Sequence, residues 1–190
     1  MKKITFLLIS FLIILISADA LAQQNYYVDG YNGNDDSPEG AEARPFKTLQ
    51  KAAGRVRAGG TVFAKDGTYT DSNNSVVLFI DQSGYEGNYI SFKNYPGHKP
   101  TIQLLANNNG GIEVNGRHHI NIEGFYVIGT NDSITLEAAL IERNNLNSPY
   151  AVKIGINIKQ QWDNPQVRSH HVNVRQCNVT KCALGGIGSF

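Results

Sequence analysis

Four groups of residues in this 190-residue chain have types and spacings that could do chemistry. The stretch YYVDGYNGNDD sets Asp29, Asp35 and Asp36 among Gly and Asn, as a calcium loop does. An EF-type loop needs Gly at its sixth position and a bidentate Glu at its twelfth. Counted from Asn32, those positions hold Ser37 and Ala43; counted from Asp29, Tyr31 and Gly33 fall at ligand positions. The stretch is therefore read as a capping turn, with an adventitious cation site as the alternative. Two pairs, His118-His119 and His170-His171, suggest metal ligation. Adjacent residues on a strand face opposite ways, so one pair is not expected to chelate one ion. The pairs are read as equivalent stacked turns, with binding as the alternative. No metal ligand is assigned, and zinc is not expected.

Trp162, Tyr150 and Tyr126 form the third group, a candidate sugar-stacking platform, since aromatic faces suit carbohydrate rings. Trp162 lies in the polar loop QQWDNPQ and is the candidate substrate-binding residue; the alternative is an aromatic packed on the protein wall. The fourth group is ionic. Lys153, Lys159 and Lys181 are expected to point outward into solvent, and Asp132, Glu137, Glu142 and Asp163 are scattered without an i, i+2 arrangement. Cys177 and Cys182 are read as thiols in preference to a disulfide, and their pairing stays open.

Export and charge frame these groups. Lys2 and Lys3 precede a 14-residue apolar run, Ile4 to Ser17, and a small-residue Ala20-x-Ala22 site. That is the pattern of a secretory signal cut after Ala22, short for a membrane span. The protein is expected to be secreted or periplasmic, where a disulfide is chemically permitted, with no membrane association after cleavage. The chain carries a formal charge of +1, and losing Lys2, Lys3 and Asp19 brings it to zero. A neutral chain without a basic stripe excludes nucleic acid as a partner.

Three segments must position the candidates: the signal at 1–22, a strand, turn and capping helix at 23–60, and a run of coils at 61–190. In FKTLQKAAGRVR, residues 46–57, the apolar Leu49, Ala52, Ala53 and Val56 recur at helical spacing. Pro45 suits its first turn and Gly59-Gly60 its end; it is the only helix expected. After Gly60 come short β-rich runs separated by Gly, Asn, Asp and Pro.

These runs repeat. HHINIEGFYVIG at 118–129 matches HHVNVRQCNVTK at 170–181 with an offset of 52, and GIEVNG at 111–116 matches GINIKQ at 155–160 and the start of GIGS at 186–189. Ile120 pairs with Val172, Ile122 with Val174, Phe125 with Cys177 and Val127 with Val179, so inward positions stay apolar while outward ones vary. One such repeat cannot bury its own apolar face, so copies must stack. Short strands with Asn-rich corners point to a parallel β-helix, with Asn ladders at the turns and the helix as its cap.

The opening YYVDGYNGNDD…RPFKTLQKAA…GGTVFAKDGTYT and the coils SGYEGNYISFKNYPGHKPTI, GIEVNGRHHINIEGFYVIG and SHHVNVRQCNVTKCALGGIG resemble secreted right-handed parallel β-helix proteins of the pectate-lyase-like superfamily. The resemblance implies an all-β, right-handed β-helix with an N-terminal cap. It also implies cleavage of acidic, uronate-containing polysaccharide by β-elimination, in which calcium neutralises the substrate carboxylate and a Lys or Arg removes the adjacent proton. The required cluster of acidic ligands beside a base is not found, so catalytic residues are unknown and no cofactor is identified. Calcium would belong to a longer parent protein.

The chain stops at CALGGIGSF as a third Gly-Ile copy begins, and is read as the N-terminal part of such a parent, inactive alone. Further coils, or a second chain, are expected at its open C-terminal end. Three functions stay open: a polysaccharide lyase-like protein first, a non-catalytic glycan-binding or cell-surface structural module second, and a glycoside hydrolase of the same fold third.

Overall fold

A computed structural model describes residues 24–145, 148 and 153–189. The signal segment with its cleavage site at Ala22, and Tyr150, lie outside the described residues. Strand β1 (Asn25–Val28) leads through the Asp-rich turn to helix α1 (Leu49–Arg55). Then come β2 (Thr61–Ala64), β3 (Thr68–Tyr69), β4 (Val76–Ile80), β5 (Ile90–Asn94), β6 (Thr101–Gln103) and β7 (Gly110–Asn115). They are followed by β8 (His118–Glu123), β9 (Tyr126–Ile128), helix α2 (Leu136–Glu142), β10 (Ile154–Lys159), β11 (His170–Arg175), β12 (Asn178–Thr180) and β13 (Gly185–Ser189).

Every third strand returns to the same sheet. The first sheet is ordered β1-β2-β5-β8-β11, the second β4-β7-β10-β13 and the third β3-β6-β9-β12, with all strand pairs parallel. This is a three-sided parallel β-helix. Its register is the one the repeat predicts: Ile120 stands opposite Val172, Ile122 opposite Val174 and Val127 opposite Val179. Alternation sends one set of side chains inward, where columns such as Ile90–Ile120 and Leu78–Ile112–Ile156 exclude water.

The Gly-Ile repeat has a steric cause. A Cβ on Gly111 would lie 2.6 Å from Val127 Cγ1, and one on Gly155 only 2.1 Å from Val179 Cγ1. In these two coils the second sheet passes so close beneath the third that only hydrogen fits, while a Cβ on Gly186 in the next coil would meet Val179 Cγ1 at an ordinary 3.8 Å.

The cap closes one end through its aspartates. Asp29 accepts from the backbone N–H of Tyr31 and Asn32, both at 2.9 Å, an Asx turn. Asp35 accepts from Lys47 N (2.8 Å), Thr48 N (3.0 Å) and Thr48 Oγ1 (2.7 Å), just ahead of the helix. The capping-turn reading holds, because these carboxylates are spent on backbone donors. The helix begins later than its periodicity suggests, since Thr48 is the N-cap and accepts from Lys51 N. Pro45 precedes it. Leu49, Ala52 and Ala53 are buried against the first coil. Gln50 meets the backbone of the edge strand β4, accepting from Phe79 N at 2.8 Å and donating to Phe79 O at 3.1 Å. An edge that would otherwise be open is thereby paired.

Two expectations need correcting. A second helix, α2, lies in the long insertion after β9, started by Thr135, whose hydroxyl accepts from Ala138 N. It leaves Leu136, Leu140 and Ile141 exposed, so no buried stripe announces it in the sequence. The side-chain-to-side-chain ladder runs along a strand face, where Asn173 Nδ2 donates to Asn121 Oδ1 (2.9 Å) and Asn121 Nδ2 donates to Ser91 Oγ (3.1 Å), while corner Asn residues bond to backbone carbonyls of the preceding coil.

Candidate functional site

The outer face of the second sheet holds a cleft of about 490 Å³. Parallel register sets Phe79, Glu113 and Asn157 in one row across β4, β7 and β10, with Asn115 and Lys159 in the next row. Gln50 of α1 closes one side, and Asn74, Ser75 and Asn109 form the rim at the corner before β4 and β7. That corner is fixed by amides: Asn108 Nδ2 donates to the carbonyls of Asp71 and Asn74, both at 2.7 Å.

Two features make this face the candidate site. Glu113 is nearly buried, and Lys159 reaches diagonally across the row to it, Nζ to Oε1 at 2.9 Å. Removing one partner would leave the other charge uncompensated in a half-dry setting, which costs more than the pair itself gains. Beside them, Asn157 Oδ1 is buried without a hydrogen-bond partner among the described residues. A buried amide oxygen of this kind takes its hydrogen bond from an ordered water or from a bound ligand.

Trp162, in the turn from β10 to β11, is not part of the cleft lining but neighbours Lys159, which is. Its backbone N–H donates to Asn115 Oδ1 at 3.0 Å, tying the turn to β7. Its ring is 82% exposed and lies 5.5 Å from Lys159 Nζ, within cation–π range. The residue is thus exposed, with its ring against the Lys159 ammonium. Lys159 joins both features, lying between the Glu113 carboxylate and the Trp162 face. Tyr126, on β9 of the third sheet, does not line the cleft.

The lysines do not share one role. Lys153, expected in solvent, is only 1% exposed, and its Nζ donates to the carbonyls of Leu105 (3.1 Å), Ala106 (2.9 Å) and Asn108 (2.7 Å). Burial pushes its pKa down, the Cys182 thiol opposing slightly. It bolts the start of β10 to the loop before β7. Lys159 is half-buried in the cleft, while Lys181 pairs with Asp132 on the surface. Cys177 and Cys182 are both free and half-buried, with pKa values raised chiefly by desolvation.

The histidine pairs depart from expectation in one respect. They do stack, His118 on His170 and His119 on His171, each with centroids 4.6 Å apart and planes within 11° and 2°. But His119 and His171 take left-handed backbone, φ 57° and 53°. The strand alternation that should separate neighbours is therefore broken, and the two rings of each pair converge. Nδ1 of His118 is 2.9 Å from Nδ1 of His119, and the His170–His171 distance is 2.6 Å.

Glu113 and Asn157 escaped notice in the sequence although the aligned Gly-Ile repeats hold them at equivalent outward positions. Reading across coils at those positions, and not along the chain, is the signal that finds them.

Comparison with known proteins agrees with this geometry. The family model for the Pel9A-like, right-handed β-helix region matches residues 26–180. The uncharacterized protein YwoF of Bacillus subtilis (strain 168) is 25% identical over 174 residues, 89% of this chain and 33% of that protein. The chain thus spans about a third of the length of its curated relative. Among solved structures, a rhamnogalacturonan lyase aligns with TM-score 0.50 at 21% identity, covering 78% of this chain and 36% of that one. A GH136 lacto-N-biosidase from Eubacterium ramulus aligns with TM-score 0.60 at 16% identity, covering 84% and 27%. At these identities the structural neighbours share the fold.

Proposed function

Since the chain belongs to the Pel9A-like right-handed β-helix family, we propose that it serves a polysaccharide-directed protein of lyase type and that its second-sheet cleft docks an acidic, uronate-containing chain. The observation that carries this reading is the placement of Lys159 between Glu113 and Trp162. A sugar ring stacked on Trp162 would bring its carboxylate to the Lys159 ammonium, and Asn157 Oδ1 would accept from a sugar hydroxyl. Export through the segment 1–22, cut after Ala22, belongs to the same proposal; N-terminal sequencing of the exported protein tests it.

Elimination itself asks for more than this cleft supplies. Glu113 and Lys159 are the ionisable residues among those described as lining it, and they are paired with each other. Calcium needs six to eight oxygens; one carboxylate already held by a lysine does not fit it, so no step is routed through the ion. The chain alone is therefore proposed to bind without cleaving, and a glycan-binding module is the second reading, favoured by the same pairing. Hydrolysis would need two carboxylates across the bond, and the cleft lining holds one.

Calorimetric titration with oligogalacturonates and with neutral oligosaccharides tests docking. Preference for the acidic series, with binding of both series weakened in Trp162→Ala, is the expected result; equal or absent binding overturns it. Release of unsaturated ends from polygalacturonate by this chain, dependent on calcium, would overturn the non-cleaving assignment.

A further inference from the structure

We propose that the histidine corner, where β8 and β11 begin, is a binding site for a zinc-class divalent metal ion, with His119, His170 and His171 as ligands and His118 as the residue that orients them. It lies on the first sheet and is independent of the cleft.

The first reason is convergence. One ligand nitrogen from each of His119, His170 and His171 lies within 4.8 Å of the others. His170 and His171 are near-perpendicular, 80° between planes, as are His119 and His170 at 82°. Rings set edge to face can aim two in-plane lone pairs at one point, and His170 stands so to both neighbours; His119 and His171 are parallel to each other, so the exposed His171 ring has to turn for all three nitrogens to meet one ion. A tetrahedral zinc with Zn–N near 2.0–2.1 Å holds its nitrogens about 3.3 Å apart. The Nδ1 atoms of His170 and His171, now 2.6 Å apart, reach that spacing by a small opening of two exposed rings.

The second reason is that the convergence is built. Left-handed backbone is uncommon outside glycine, with His among the residues that adopt it most readily, and here it recurs at the same position of two successive coils. The turn behind the cluster is anchored as well. The backbone N–H of His118 donates to Ser83 Oγ at 3.3 Å, and that of Gly84 donates to His118 O at 3.0 Å. Tyr89 packs edge-on to His119 with centroids 5.0 Å apart.

The third reason is ligand chemistry. An all-imidazole set without carboxylate or thiolate suits zinc, copper or nickel and not calcium or magnesium. Ligation requires neutral imidazole. With ligands from both β8 and β11, the ion would clamp two coils together.

Equilibrium dialysis of the untagged chain against Zn(II), with Co(II) as the spectroscopic probe, decides the matter. One ion per chain is expected, with visible Co(II) d–d bands of an imidazole site and a Tm raised by several degrees. His171→Asn keeps a residue that tolerates left-handed backbone, and His170→Ala sits at ordinary backbone; each should weaken binding at least tenfold while circular dichroism stays native. His98→Asn, which alters the one histidine outside the cluster, should change nothing. Absence of bound metal, or binding that survives both His170→Ala and His171→Asn, overturns the proposal.

Discussion

The second-sheet cleft and the first-sheet histidine corner are made by the same device, lateral register between successive coils, and they come out chemically opposite. Across β7 and β10, regular alternation puts unlike residues side by side: Glu113 next to Asn157, Asn115 next to Lys159. The product is a mixed polar trough that joins an ion pair to an aromatic face. Across β8 and β11, like stands on like, and a reversed backbone angle adds a second histidine to each level. The product is a compact, uniform cluster. A solenoid face is therefore composed across coils, and a single coil's sequence does not state what it presents.

The comparison breaks most severely if the coil beneath both faces is disturbed. Gly155→Val should destabilise the protein by about 3 kcal/mol through overpacking against Val179, read by urea denaturation, whereas Gly185→Ala, with open space around it, should sit near zero. The next largest effect separates the faces. Lys159→Met should weaken oligogalacturonate binding roughly tenfold, about 1.4 kcal/mol, and leave neutral sugars and Co(II) spectra unchanged. Glu113→Gln frees the ammonium and should tighten acidic binding a few-fold in the same titration. Asn173→Ala, which removes one rung between the coils at 2.9 Å, should cost about 1 kcal/mol and touch neither ligand.

The smallest effect is in pH. His118 and His119 have depressed pKa values in the folded protein, so the unfolded chain binds more protons between the folded values and the unperturbed value near 6.5. Stability should fall as pH drops below about 6.5, with Glu86 and Tyr89 as the other titratable groups facing the cluster. His118→Asn/His119→Asn should flatten that slope in denaturation curves taken across the range.

Much of the architecture was legible in the chain itself. The 52-residue offset named the column partners Ile120–Val172 and Val127–Val179 before any coordinates, because an apolar column tolerates little variation. The cleft was not legible, since Glu113 and Lys159 are 46 positions apart and meet only once β7 and β10 are in register. The histidine pairs were visible but discounted on the rule that strand neighbours diverge. That rule assumes ordinary φ, and a reversed φ at a histidine leaves no mark in composition. Gln176, at φ 52° where the preceding coil has Gly124, shows the same silence. Lys153 misled for a related reason: a lysine looks like a surface residue until a ring of backbone carbonyls receives it.

The hydrogen-only clearance beneath the third sheet also sets a rule for anyone lengthening this molecule. A coil grafted beside β10 is free in its outward positions and in the length of its insertion, as the long excursion between β9 and β10 already demonstrates. The freedom ends at Gly111 and Gly155 themselves, where a single methyl group would wedge the sheets apart. A library built on this scaffold can randomise whole faces, provided that those two positions stay glycine.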